Sequence, residues 1–126
     1  MAEVVITPIT ATLNALKQVP GVGGAGGAET VTSSDVASFA VPKDGKYLIL
    51  IDCAAGGKII TIAGGTDALK YSQGALACGV TLINTNHGIN AIVLESARFK
   101  FMSGTYIGTI RFTTDGTVTA TVIALP

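Results

Sequence analysis

Apolar and polar positions alternate with a period of two along most of this chain, and helical periodicity is almost absent. β-Branched residues and glycine dominate, which suits short strands joined by tight turns. Val4–Thr10 reads as a first strand. Pro8 confines it to an edge or a bulge, because proline has no N–H to give to a ladder. Ala11–Val19 is the one stretch with helical character, a turn or two that would need packing to persist. Residues 20–27, Pro-Gly-Val-Gly-Gly-Ala-Gly-Gly, form a flexible loop. Residues 1–27 are therefore expected to be an N-terminal arm or strand with a Gly-rich linker, and 28–126 a β-sandwich domain.

Further along, Asp35–Val41 places Ala37, Phe39 and Val41 on one face. Pro42-Lys43-Asp44-Gly45 is a turn, in which proline presets φ and Asp-Gly tolerates a positive φ. Tyr47–Ile51 is apolar at every position. Such a run fits a strand covered on both faces, or one with a face in the core and a face in an interface. Ala55-Gly56-Gly57 turns the chain into Lys58–Ile62, and a connection of weak pattern covers 64–79. Val80–Ile83 is the next strand, 84–88 a turn, and Ile89–Glu95 a strand after it. Arg98–Met102 alternates as a strand, with Phe99 and Phe101 inward and Arg98 and Lys100 outward. Tyr106, Ile110 and Phe112 share a face of the following strand, and Asp115-Gly116 has the form of a two-residue hairpin. The last strand sets Val118, Ala120, Val122 and Ala124 against Thr117, Thr119 and Thr121. Its apolar pattern runs to Pro126, so this end is expected to dock in a sheet or a neighbour and to complete the domain. About eight or nine short strands at regular spacing predict an all-β fold: a jelly-roll or Ig-like β-sandwich, or a small barrel.

The length of 126 residues suits one domain, and it is enough to bury a core without staples. Hydrophobic residues make up 48% and charged residues 13%, about half the usual charged fraction, and the net charge is zero. Long-range steering toward nucleic acid or an anionic membrane is thus not expected. So few charges fit either a Thr/Ser/Gly-coated compact domain or a surface normally covered by other subunits. No apolar run approaches the roughly 20 residues that span a bilayer. The N-terminus has no basic start or cleavage site, so no signal peptide is read and synthesis in the cytoplasm is expected.

Candidate chemistry is sparse. Residues 21–26 match G-x-G-x-x-G, but a dinucleotide site needs a strand before and a helix after. Here Pro20 precedes and β pattern follows. His87, the only histidine, sits in an Asn-His-Gly turn, where a solvated turn residue is favoured over a member of a Ser-His-Asp triad. Cys53 and Cys78 have no metal-ligand spacing and read as small buried hydrophobes, with a single disulfide as the other option. Most carboxylates fall in or beside turns, and calcium at Asp44 or Asp67 is the less favoured reading. No catalytic residue, cofactor or metal is assigned, and the chain is read as a non-enzyme. Glu95 and Arg98 are the charges with the most apolar flanks. They fit a corner pair within one subunit or, less favoured, an interface ion pair. Arg98 and Lys100 also suit edge protection. The lack of tryptophan and the three tyrosines speak against sugar stacking and single-stranded nucleic-acid binding.

Four stretches carry a resemblance: Val4-Val5-Ile6-Thr7-Pro8, Val41-Pro42-Lys43-Asp44-Gly45-Lys46, Leu94-Glu95-Ser96-Ala97-Arg98-Phe99, and the terminal run from Val118-Thr119-Ala120 to Leu125-Pro126. With most of 35–126, they resemble the small β-sandwich proteins that decorate the heads of tailed bacteriophages; 20–27 and 64–79 lie outside the resemblance. It implies a virion protein on the capsid exterior that binds the major capsid protein, works as a homo-oligomer such as a trimer, and adds contacts between capsomers. The residues expected at a capsid or subunit interface are Val4, Val5, Ile6, Leu13 and Leu16 on the arm, and Glu95, Arg98 and Lys100. The alternative is an Ig-like adhesion or ligand-binding module on a tail or cell surface, with a pocket lined by Tyr47, Tyr71 or Tyr106.

Overall fold

The computed structural model describes residues 2–17, 19, 27–53, 58–63, 78–82 and 88–126, with 78–82 described by backbone alone. The described residues form ten strands: β1 (Ala2–Val5), β2 (Ile9–Thr10), β3 (Glu29–Val31), β4 (Asp35–Ala40), β5 (Lys46–Cys53), β6 (Lys58–Ile62), β7 (Cys78–Leu82), β8 (Gly88–Glu95), β9 (Thr109–Thr114) and β10 (Val118–Ala124). One helical turn, α1 (Ser96–Phe99), follows β8 directly. Sheet I runs β1-β4-β9-β6-β7, and sheet II runs β2-β10-β5-β8 with β3 also on β10.

The pairing is nested. β3 joins β10, β4 joins β9, β5 joins β8 and β6 joins β7, all antiparallel, and these pairs are linked by β5 with β10 and β6 with β9. That wrapping of eight strands over two sheets is a jelly roll, which decides between the two expected sandwich types. The turn chemistry was legible but its role was not. Asp115-Gly116 joins β9 to β10, and these strands lie in different sheets, so it is a corner and not a hairpin. Pro42–Gly45 is likewise a corner between β4 and β5. The turns at 55–57 and 84–87 lie outside the described residues.

The expected first strand divides at Pro8. β1 runs parallel to β4 at the edge of sheet I, and β2 runs parallel to the end of β10 in sheet II. Between them the Ile6 N–H donates to the Ser38 carbonyl at 2.8 Å, and the Ile6 side chain is buried in the core. The N-terminal ten residues thus add one short strand to each sheet.

Inward side chains of both sheets make one core. Sheet I contributes Ala37, Phe39, Ile60, Ile62, Ile110 and Phe112, and sheet II contributes Val31, Ile49, Ile51, Val118, Ala120 and Val122. Phe39 and Tyr47 meet across the sheets with ring centroids 5.5 Å apart. Cys53 is a buried free thiol on the inward side of β5, and burial raises its pKa. At this position it acts as the small hydrophobe read from the sequence.

Three local expectations fail. Tyr106 does not share the strand face of Ile110 and Phe112: it lies exposed in the turn before β9, which starts at Thr109. The described residues of Ala11–Val19 form no helix: Thr12–Ala15 is a turn in which the Ala15 N–H donates to the Thr12 carbonyl at 3.2 Å and Asn14 takes a left-handed φ of 58°. A short helix needs a packed face, and Leu13 and Leu16 are exposed. Arg98–Met102 is not a strand either. The chain must leave sheet II after β8 and reach β9 in sheet I, and it bends through α1, burying Phe99 at 5% exposure while Phe101 stays half-buried.

Candidate interaction surface

Both outer faces of the sandwich mix polar and apolar side chains. On sheet I the outward positions include Ser38 on β4, Thr61 on β6, and Thr109, Arg111 and Thr113 on β9, with Glu3 on the β1 edge. Arg111 binds Glu3 at 2.7 Å, and its guanidinium lies 3.5 Å over the Tyr106 ring. Apolar side chains stand among these polar ones: Val5 on β1 is 65% exposed and Ile59 on β6 is 45% exposed.

On sheet II the apolar positions adjoin one another across three strands. Antiparallel register puts the inward residues Tyr47, Ile49 and Ile51 of β5 out of phase with Leu48 and Leu50. Leu48 stands between Val93 of β8 and Ile123 of β10, and Leu50 between Ala91 and Thr121. Ile89 and Val93 are 66% and 58% exposed, while Leu48, Leu50 and Ile123 are half-buried among their neighbours. Lys46 and Glu95, opposite one another, close one end of this apolar patch, and Asp52 lies at the other. An apolar centre with a charged rim is the usual anatomy of a protein contact. The uninterrupted Tyr47–Ile51 run thus has one face in the core, as the sequence allows, and turns its other face into this patch.

A second apolar feature leaves the sandwich after β2. The Ala11 N–H still bonds the Ala124 carbonyl at 2.9 Å, but beyond it Leu13, Leu16 and Val19 are 73%, 101% and 45% exposed. Three large apolar side chains presented to solvent within seven residues are unusual for an isolated soluble domain.

The residues expected at an interface separate accordingly. Leu13, Leu16 and Val5 are exposed, Val4 is half-buried against the core, and Ile6 is 1% exposed, so Ile6 serves the core and cannot reach a partner. Glu95 ends β8 and Arg98 lies on α1; both are exposed, and the described ion pairs do not join them. The expected Glu95–Arg98 pair gives way to a different corner lock. Lys100 Nζ binds Asp44 Oδ1 at 2.6 Å, so Lys100 clamps the β4–β5 corner where edge protection was expected.

Sequence reading missed the centre of that lock, Ser96, which is fully buried. Its Oγ accepts from the Gly45 N–H at 2.9 Å and donates to Asp44 Oδ1 at 3.2 Å, and its N–H donates to the Gly45 carbonyl. A serine between a strand and a helical turn is the signal that was there to be read. The Lys100 ammonium, then Ser96, hold the Asp44 carboxyl below its ordinary pKa. Beside this corner lies an open groove of about 470 Å³ lined in part by Thr10, Lys43, Tyr47 and Pro126. Tyr47 is buried, its hydroxyl donates to the Lys43 carbonyl at 3.1 Å, and its pKa is raised by burial. Tyr106 belongs to the Arg111 stack, and Tyr71 lies outside the described residues, as do His87, Asp67 and the glycine loop at 21–26. Among the described residues no three His, Cys, Asp or Glu side chains gather as a metal site, and no helix is long and apolar enough to cross a membrane.

Fold and surface together define a jelly-roll β-sandwich with a contiguous apolar patch on the outer face of sheet II. Comparison with protein-family models, with curated proteins and with solved structures gave no match.

Proposed function

We propose that this chain is a non-enzymatic structural protein of a phage virion, which decorates the capsid exterior and stabilises it through contacts with the major capsid protein. The observation that supports this most is the contiguous apolar patch on the outer face of sheet II. A domain working alone in water gains nothing from the Ile89–Ala91–Val93 row, whereas a protein seated many times on a symmetric shell buries such a row at every site. The exposed Leu13, Leu16 and Val19 extend the same surface chemistry onto the segment beyond β2. The resemblance carried by 4–8, 41–46, 94–99 and the C-terminal strand points the same way.

The adhesion or ligand-binding alternative has the corner groove in its favour. Against it, the one tyrosine lining that groove is buried and offers no stacking platform.

The test is co-sedimentation with assembled, undecorated heads of the tailed phage whose genome carries this gene. Wild-type chain is expected to saturate the shells. Leu13→Ser/Leu16→Ser and Val93→Ser are expected to lower occupancy with unchanged melting of the free protein. Absence of wild-type binding sinks the proposal, and full occupancy by both variants removes these surfaces from it.

A further inference from the structure

The sandwich protects its described edges unequally. On sheet I, β1 is four residues long and carries Glu3 in its ion pair with Arg111. On sheet II, β2 and β3 are two and three residues long and share one side of β10. Short strands and charges are the usual means of keeping an edge from pairing with another chain.

β8 has neither protection. It runs eight residues, Gly-Ile-Asn-Ala-Ile-Val-Leu-Glu, and all eight pair with β5 on one side. Its other side ends sheet II among the described residues. It holds no proline and one charge, Glu95, at its last position. Its outward Ile89 and Val93 are the most exposed apolar side chains of sheet II. The polar accounting points to the same place. Asn90 Nδ2 is buried without a hydrogen-bond partner among the described residues; Asp52 Oδ1, likewise unpartnered, lies on the outer face of the internal strand β5 and has no part in this edge. Asn90 stands opposite the core residue Ile51, so its amide points to the inner side of the sheet at the open edge.

We propose that the open edge of β8 pairs antiparallel with β8 of a second copy of this chain, about a two-fold axis at Asn90, joining two copies of sheet II into one continuous sheet. Three features favour a second copy over another partner. A strand edge is its own complement in antiparallel register, as an isologous contact requires. A primary amide is its own complement too: opposed Asn90 side chains on paired strands stand close enough to meet, and a turn of each amide toward the axis lets one donate to the other. The chain has no net charge to repel its twin, and Glu95 lies five residues from the axis. Pairing also brings the two Leu48–Leu50–Val93 patches into a single apolar plate. The pair stands independently of the capsid role, and its two-fold symmetry differs from the three-fold association that the phage resemblance implies.

The test is the solution mass of the full chain by light scattering and sedimentation, from low to high micromolar concentration, alongside hydrogen exchange. The wild type is expected at twice the 12.7 kDa chain mass. Its β8 amides should be protected at high concentration and exchange faster on dilution. Ile89→Lys sets a lysine beside the axis in each copy and is expected to weaken the pair by about a hundredfold. Since Ile89 is exposed, the melting of the dilute variant should match the wild type. Val5→Lys, on the far edge of the other sheet, should leave the pair intact. A wild-type mass of one or three chains overturns the proposal, as does a dimer that survives Ile89→Lys or is broken by Val5→Lys.

Discussion

Replacing Ile6 by alanine tests whether the N-terminal crossing between the sheets belongs to the core. Ile6 is 1% exposed and lies between β1 and β2. The change removes three carbons, and at about 0.8 kcal/mol per buried methylene the transfer loss is about 2.4 kcal/mol. A cavity at the site adds to this, giving about 3 kcal/mol, within the range for such truncations. At this chain length about 1 kcal/mol moves the melting temperature by about 4 °C, so a fall of about 12 °C is expected. Guanidinium melts at one fixed protein concentration check it: the midpoint should drop with the slope unchanged. Val5→Ala is the control, since Val5 is 65% exposed and its truncation should stay within about 0.5 kcal/mol. A melt of Ile6→Ala that overlays the Val5→Ala melt would mean that β1 and β2 are not docked as described.

Ser96→Ala leaves the Gly45 N–H without its acceptor and should cost about 1–2 kcal/mol in a thermal melt; no loss would remove the serine from the corner lock. Asp44 has a folded pKa below its unfolded value near 3.9, so its contribution is complete above that pH and is lost as pH falls through the folded pKa. Acid titration of Asp44→Asn should therefore show a shallower loss of stability below about pH 4 than the wild type, and identical slopes there would contradict the assignment. Gly108→Ala forces a side chain into φ 80° and should cost about 1–2 kcal/mol although nothing crowds the position. At Gly116 the new methyl meets only the flexible end of Lys58, at 2.7 Å, so Gly116→Ala should cost under about 0.5 kcal/mol; thermal melts showing the reverse order would refute this division of strain from space.

Most of the strands, and the side chains they bury, were legible in the alternation along the chain. Ala37, Phe39 and Val41, then Ile110 and Phe112, then Val118, Ala120 and Val122 are inward in the structure because a strand's two-residue period is a local property of the backbone. The doubly apolar Tyr47–Ile51 run likewise announced a strand with a second face to account for. Which strands pair was decided only by the tertiary structure. Asp115-Gly116 looks the same whether the next strand lies alongside or crosses to the other sheet, because turn chemistry fixes a few dihedrals and says nothing about the distant partner. For the same reason Phe99 and Phe101 alternated as in a strand, until the contact of Ser96 with Gly45, 51 positions away, bent them into a corner. Among the described residues, the unpaired side of β8 and the unpartnered Asn90 Nδ2 arise only once β5 takes the other side of that strand, so no local pattern could show them.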